Sequence, residues 1–85
     1  MRAIVYTENG DPDVLQLVER PDPEPGPGEV RVRLAFSGVN PTDWKRRRTA
    51  PPATDGQVPD QDGSGTVDAV GEGVDQVLVG ERVWV

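Results

Sequence analysis

The sequence has 85 residues, with 15 acidic and 9 basic side chains and a formal net charge of −6. A chain of this length forms one domain at most, with a small core, and its charge argues against a general affinity for nucleic acid or an anionic membrane surface. Because it has neither cysteine nor histidine, disulfides, the usual zinc, haem-thiolate and iron–sulfur ligand sets, and Cys/His or Ser-His-Asp catalytic groups are excluded.

No apolar stretch approaches the roughly 20 residues of a membrane span. The first six residues have the composition of a strand and lack the long apolar run of a signal peptide. We therefore expect no membrane partner and a cytoplasmic location.

The first predicted elements are two strands joined by a turn. Residues 2–6 end in β-branched and aromatic side chains, residues 8–13 are rich in turn formers, and residues 14–19 are mostly apolar, which is typical of a hairpin. Residues 21–28 contain four prolines, which lack the amide donor and fix φ, so this segment is predicted to be an extended loop.

Residues 29–37 show the clearest periodicity in the chain. Apolar and mostly polar positions alternate with a period of two, which predicts a half-buried strand with one apolar face. The predicted apolar face consists of Val30, Val32, Leu34 and Phe36, and the opposite face of Arg31, Arg33, Ala35 and Ser37.

A short helix is predicted over residues 41–48. Asn40 suits the N-cap, Pro41 the first helical position and Asp43 the third, where a carboxylate can accept from free amide donors. The basic run 45–48 falls in the last turn. It is read first as a solvated helix end, with docking against a cofactor domain or nucleic-acid binding as alternatives.

The second half of the chain returns to strands. Residues 49–59 have no periodicity, so this segment is predicted to be functional or mobile. Residues 63–70 predict a strand, residues 71–73 a turn, and another strand begins at Arg82. Without any βαβ alternation, the pattern predicts an all-β barrel or sandwich with at most one short helix.

Several stretches together resemble one protein family. These are "MRAIVYTENGDPDVLQLVE", "PGPGEVRVRLAFSGVNPTDW", "VPDQDGSGTVDAVGEGV" and "VGERVWV". In this order and spacing the chain resembles the N-terminal part of the medium-chain dehydrogenase/reductase superfamily, in particular its zinc-independent quinone oxidoreductase (zeta-crystallin-like) branch.

The resemblance implies a fold and a function. Residues 1–85 would be the N-terminal part of a GroES-like catalytic domain, mainly β, a partial GroES-like β-barrel with one short helix. In the family a Rossmann domain follows and binds NADPH, so we expect this chain to be a fragment that is inactive without the missing Rossmann segment. The intact protein would reduce quinones, enones or related small-molecule carbonyls by hydride transfer.

The resemblance also implies that no metal is bound. Zinc-dependent members carry a Cys ligand at the position of Asn40, a His ligand at that of Gln61 and an acidic residue at that of Asp62. A neutral amide oxygen is a poor substitute for thiolate or imidazole toward zinc. We therefore expect the catalytic zinc site to be absent.

Site residues follow by position in the resemblance. Asn40 would line the nicotinamide and substrate pocket and donate a hydrogen bond, with Pro41 beside it against the cofactor. Thr42 falls where zinc-dependent relatives have a hydroxyl proton relay, although it is read first as an exposed helix residue. Asp43 is expected to organise the turn, because an ionised carboxylate cannot donate a proton.

Three features depart from known patterns. Trp44 follows Asp43 directly, whereas many relatives have a Tyr two positions after the Asp. The sequence therefore does not identify the residue that forms the aromatic wall of the pocket. Pro59-Asp60 replaces the usual Pro-Gly, and Asp tolerates positive φ less readily than Gly. The run from Gly63 to Asp68 lacks the third glycine of G-x-G-x-x-G and is read as packing glycines, not as a nucleotide loop.

The sequence is compatible with two other functions. The apolar residues 82–85 would suit a non-enzymatic GroES-like module that assembles as a homo-oligomer or with a partner. Nucleic-acid binding rests only on the basic run and is opposed by the net charge and by four aromatic residues in all. We expect no nucleic-acid partner.

Overall fold

The computed structural model describes all 85 residues and confirms the mainly β class. Two single-turn 3₁₀ helices, Pro12–Val14 and Gln76–Leu78, accompany the main elements. None of the helices is long and apolar enough to cross a membrane. The strands and the helix are β1 (Arg2–Val5), β2 (Gln16–Glu19), β3 (Val30–Gly38), α1 (Pro41–Thr49), β4 (Asp62–Val70) and β5 (Arg82–Trp84).

The chain forms two compact units, and each is assembled from two separate segments. The first unit contains residues 1–21 and 39–61, and the second contains residues 22–38 and 62–85. The first unit therefore holds β1, β2 and α1, and the second holds the other three strands.

In the first unit, β1 and β2 form the predicted antiparallel hairpin, with Arg2 opposite Glu19 and Val5 opposite Gln16. Just beyond β1, Tyr6 exchanges two backbone hydrogen bonds with Gln57, at 3.0 and 2.9 Å. Val5 and Tyr6 are the buried hydrophobic side chains of this unit, at 4% and 1% exposure. The core of the first unit thus lies where the hairpin meets the segment before β4.

The segment 49–59 was predicted to be functional or mobile. Hydrogen bonds hold its second half against the rest of the first unit. Besides the bridge from Tyr6, the Arg20 guanidinium donates to the carbonyl oxygens of Asp55 at 2.5 Å and Gly56 at 3.3 Å. Gly56 is buried and has a φ of +100°, a conformation that favours glycine. This half of the segment therefore belongs to the packed part of the first unit.

The second unit is a three-stranded antiparallel sheet in the order β3-β4-β5. Val67, opposite Val32, is its buried hydrophobic side chain, at 2% exposure. A Cβ atom at Gly65 would lie 2.0 Å from the carbonyl oxygen of Arg33. Two strands can approach this closely only because residue 65 has no side chain.

One detail of the β3 prediction is wrong. Leu34 pairs with Gly65 and Phe36 with Ser64, so Ala35 is an extra, bulged residue. Neighbouring residues of β4 point to opposite faces, and paired residues share a face. Phe36 therefore lies on the face opposite Leu34. The alternation in the sequence predicted one shared face, because a bulge is not visible in the sequence of a single strand.

The bulge creates an exposed row of side chains across the sheet. Phe36 pairs with Ser64, and Ser64 pairs with Trp84 on β5. Phe36 is 75% and Trp84 85% exposed. We call Phe36, Ser64 and Trp84 the aromatic row.

Within the second unit, Arg31 links the proline-rich loop to β4. Its Nε donates to Asp68 Oδ1 at 2.8 Å, and one terminal nitrogen donates to the carbonyl oxygen of Pro23 at 3.2 Å. A weaker ion pair reaches Glu24 at 3.8 Å. The hydrogen bond to Asp68, followed by the charges of the nearby carboxylates, raises the pKa of Arg31 above its usual value, so this group stays charged at any working pH.

Candidate functional site

The centre of the candidate site is the carboxylate of Asp43. Its Oδ2 accepts a hydrogen bond from the backbone N–H of Asn40 at 2.7 Å, and its Oδ1 accepts one from the backbone N–H of Asp60 at 3.2 Å. One carboxylate thus joins the start of α1 to the residue immediately before Gln61. We call this arrangement the Asp43 bracket.

The sequence explains why the bracket forms. Asn40 takes the extended N-cap conformation, with φ −117° and ψ 161°, and Pro41 occupies the first helical position. The third position then carries Asp43, whose backbone N–H donates to the Asn40 carbonyl oxygen at 3.0 Å. A carboxylate here is favoured by the free amide donors and the positive end of the helix dipole.

The structure places the predicted site residues together at this helix start. Asn40 is half-buried, whereas Pro41 and Thr42 are exposed on the first turn. Asp43 is half-buried and acts on backbone amides, in agreement with its predicted role as organiser of the turn. α1 ends at Thr49, one residue beyond the predicted end.

Asp60 has a strained backbone at the other end of the bracket. Its φ is +68°, and it is the only non-glycine residue of the chain with a positive φ. The sequence signal for this was the Pro59-Asp60 pair at a place where glycine would be expected. The left-handed turn sets the direction in which the chain leaves toward Gln61, which is exposed.

The glycine-rich run is not a nucleotide loop. Gly63 and Gly65 lie inside β4, and the space in front of Gly65 is filled by the backbone of Arg33. A phosphate loop instead joins a strand to a helix N-terminus and leaves its amides open. The predicted packing role of these glycines is confirmed.

Sequence reasoning missed a contact at the other end of α1. Asn9 Nδ2 donates to the carbonyl oxygens of Ala50 at 2.6 Å and Arg47 at 2.9 Å, with Arg46 at the limit, 3.5 Å. The Gly10 N–H donates to the Arg47 carbonyl oxygen at 3.2 Å, and Arg47 Nε donates back to the Gly10 carbonyl oxygen at 3.1 Å. We call Asn9, Gly10 and the last turn of α1 the helix latch.

The latch gives part of the basic run a structural role. Arg47 is one of its members, and Arg48 pairs with Asp11 at 3.1 Å beside it. Lys45 and Arg48 also lie 5.6 and 5.8 Å from the centre of the Trp44 ring. The asparagine before a glycine was a visible turn signal, but nothing local linked it to Arg47, which lies 38 residues later in the chain.

The donor set does not suit zinc. No group of three or more Cys, His, Asp or Glu side chains is placed to hold a metal ion. The positions that correspond to metal ligands in the resemblance carry the amides of Asn40 and Gln61, which are weak zinc ligands. A cavity of about 380 Å³ lies elsewhere, in the second unit, and contains none of these residues.

Five strands in antiparallel pairs and one short helix match the predicted partial GroES-like fold. The family described as the alcohol dehydrogenase GroES-like domain matches residues 26–85. The chain therefore belongs to this family, and with it to the medium-chain dehydrogenase/reductase superfamily.

Two similar proteins show the range of the family. The chain is 43% identical over 70 residues to a trans-enoyl reductase of Gibberella fujikuroi, a match that covers 81% of this chain and 20% of that protein. It is 38% identical over 91 residues to the human synaptic vesicle membrane protein VAT-1 homolog, covering 100% of this chain and 23% of that protein.

Solved structures confirm the partial GroES-like fold. A mycobacterial protein in complex with NADPH superposes with a TM-score of 0.87 at 40% identity, over 99% of this chain and 27% of that one. The Escherichia coli quinone oxidoreductase in complex with NADPH gives 0.89 at 30% identity, over 99% and 26%. A cobalt- and zinc-bound alcohol dehydrogenase from Pyrobaculum aerophilum gives 0.88 at 38%, over 100% and 26%.

The fold is therefore shared by a zinc-bound alcohol dehydrogenase and by NADPH-bound proteins such as the quinone oxidoreductase. The fold alone does not indicate whether a metal is bound. The chain spans only about a quarter of the length of these proteins. At the family level, the matches include oxidoreductases such as quinone oxidoreductases and alcohol dehydrogenases.

Proposed function

We propose that this chain is the substrate-side part of a zinc-independent, NADPH-dependent oxidoreductase that reduces quinones, enones or related carbonyl compounds. The observation that carries the proposal is the Asp43 bracket. It holds Asn40 and the residue before Gln61 in one place by hydrogen bonds of 2.7 and 3.2 Å, where the family resemblance puts a metal site or its uncharged replacement.

Asn40 is proposed as the residue that contacts the reacting carbonyl. An amide N–H aimed at a carbonyl oxygen stabilises the negative charge that develops there, and losing one such donor costs about 3 kcal/mol of transition-state stabilisation. NADPH, when bound, supplies the hydride. The bracket fixes the backbone from which the Asn40 side chain projects, so the side chain starts from a defined position before the substrate arrives.

Pro41 and Thr42 are proposed to flank this amide. Both are exposed on the first turn of α1, so a cofactor ring and a substrate can reach them. Pro41 would present an apolar surface to the nicotinamide, and the Thr42 hydroxyl can both donate and accept, as a proton relay requires.

The residues of this chain suit the nicotinamide end of the cofactor and not its pyrophosphate. Its glycine-rich run is packed inside β4, and the positive end of α1 already holds the Asp43 carboxylate. Neither feature leaves a place for a pyrophosphate. In our proposal a separate Rossmann segment therefore binds the phosphates, and this chain contributes contacts to the nicotinamide and the substrate.

A chimera tests the proposal. This chain would replace the matching segment of the Escherichia coli quinone oxidoreductase, with which it shares 30% identity and a TM-score of 0.89. We expect NADPH-dependent quinone reduction without added zinc, and a decrease in kcat on the order of tenfold or more for Asn40→Ala.

Arg33→Ala is the matched control, because Arg33 is exposed in the second unit and has no role in the proposal. A chimera that folds and binds NADPH but does not turn over would overturn the proposal. So would an Asn40→Ala chimera as active as the parent, or activity that requires bound zinc.

One observation favours a second candidate, a non-enzymatic module that associates with a second copy of itself. The aromatic row exposes Phe36 and Trp84 on one sheet face, and interfaces are enriched in such residues. Light scattering on the chain distinguishes the two: a defined oligomer that dissociates in Phe36→Ser/Trp84→Ser supports assembly, whereas a monomer excludes it.

A further inference from the structure

The helix latch contains a chemically reactive pair. Asn9 is followed by Gly10, and in such a pair the backbone nitrogen of the glycine can attack Cγ of the asparagine. Ammonia leaves, a five-membered succinimide forms, and water then opens either carbonyl to give an aspartyl or an isoaspartyl residue. Glycine permits this ring closure because it has no side chain in the way.

The latch opposes this reaction while it is closed. The nucleophile must be the Gly10 nitrogen, and its N–H is held by the Arg47 carbonyl oxygen at 3.2 Å. The leaving amide is held as well, through the contacts of Asn9 Nδ2 with Ala50 and Arg47 at 2.6 and 2.9 Å. Arg47 Nε at 3.1 Å from the Gly10 carbonyl oxygen restrains the same peptide from the other side.

Reaction of Asn9 would in turn prevent the latch from closing. Two donated hydrogen bonds would be replaced by a carboxylate facing carbonyl oxygens at the negative end of the α1 dipole, where a negative charge is unfavourable. The residue that follows α1, Ala50, has an extended conformation, so the helix does not end in a left-handed glycine cap. The carbonyl oxygens of Arg47 and Ala50 instead accept hydrogen bonds from this loop.

We propose that Asn9 is a site of spontaneous deamidation, that the closed latch holds the reaction back, and that the reaction, once it occurs, releases the C-terminal end of α1. Asn9 is exposed, so water is available for the hydrolysis. Local opening of the latch is then the step that controls the rate, and each event is permanent.

The chain contains its own control. Its other asparagine, Asn40, precedes Pro41, whose nitrogen carries no hydrogen and cannot close the ring by this route. Incubation of the chain at mildly alkaline pH, followed by peptide mass spectrometry, measures the conversion of amide to acid at both positions. We expect conversion at Asn9 and none at Asn40.

Two comparisons test the protective role of the latch. Asn9 should convert faster in denaturant than in buffer, and Arg47→Met should accelerate conversion in buffer about fivefold by weakening the latch. Arg33→Met, in the second unit, should leave the rate unchanged. Equal rates in buffer and denaturant, or no acceleration by Arg47→Met in a chain with unchanged circular dichroism, would overturn the proposal.

The consequence for the helix is tested with Asn9→Asp, which is one of the two reaction products. We expect faster amide hydrogen exchange at residues 46–50 and a lower urea midpoint than for the parent chain. Unchanged exchange at the end of α1 would show that the latch does not depend on the Asn9 amide.

Discussion

The Asp43 carboxylate accepts a hydrogen bond from the backbone N–H of Asp60 at 3.2 Å, and Asp60 is the only non-glycine residue with a positive φ. The residue that organises the helix start therefore also supports the strained turn before Gln61. This relationship leads directly to two predictions on stability.

Asp43→Asn should destabilise the chain by about 1–3 kcal/mol, because hydrogen bonds from two backbone amides to a half-buried carboxylate are weakened or lost. Urea denaturation followed by circular dichroism measures the change. Asp13→Asn is the control, because Asp13 is exposed. Equal stability of the two variants would show that the bracket contributes nothing to folding.

At position 60, glycine should be more stable than alanine by about 1 kcal/mol, since only the alanine Cβ is strained at a φ of +68°. Both Asp60→Gly and Asp60→Ala remove the same carboxylate, so its own contacts cancel in the comparison. Thermal unfolding of the two variants side by side gives the difference. An alanine variant as stable as the glycine variant would contradict the left-handed turn.

Gly65→Ala should destabilise the second unit by more than about 2 kcal/mol, because the new Cβ would lie 2.0 Å from the Arg33 carbonyl oxygen and the strands would have to separate. Gly73→Ala is the comparison. Its Cβ meets nothing within 4 Å and suffers only the strain of a φ of +83°, which costs about 1 kcal/mol. Urea midpoints in the reverse order would show that β3 and β4 are not this close.

Asp68→Asn should slightly lower the free energy of unfolding of the chain. It should also reduce the dependence of that free energy on salt. The Arg31 to Asp68 pair is solvent-accessible, so its contribution is small and screened by salt. The raised pKa of Arg31 adds stability that is lost only as pH rises through that raised value. The destabilisation caused by Asp68→Asn should therefore be the same at pH 6 and pH 9. Urea melts in low salt and in about 1 M salt provide the measurement.

Restoring thiolate and imidazole should restore metal affinity if Asn40 and Gln61 mark a converted metal site. We expect the double variant Asn40→Cys/Gln61→His to bind zinc, with Asp62 nearby in sequence, several-fold more tightly than either single variant. Calorimetric titration with zinc measures the affinities. Additive effects of the two single changes would indicate that positions 40 and 61 do not share a site.

Much of the first-unit site could be predicted because its signals are local. The capping pattern of Asn40, Pro41 and Asp43 specifies a helix start, and the Pro59-Asp60 pair specified where strain would appear. The contact between Asp43 and Asp60 could not be predicted, because it joins residues brought together only by the fold. The same is true of the helix latch.

In the second unit, the sequence predicted the strand β3 but not the face on which each of its side chains lies. The period of two in residues 29–37 identified the strand, but the bulge at Ala35 reversed the face of Phe36. A bulge depends on how two strands pair, and neither strand encodes it alone. The prediction also overestimated the burial of the apolar face of β3, since Leu34 on that face remains 55% exposed.

The two units are interleaved along the chain, the first using residues 1–21 and 39–61 and the second residues 22–38 and 62–85. During synthesis the β1–β2 hairpin emerges early but has to wait for Gln57 before Tyr6 gains its partner. β3 likewise waits for β4. Neither unit can finish folding until its second segment has left the ribosome, and no single proteolytic cut can separate the two units.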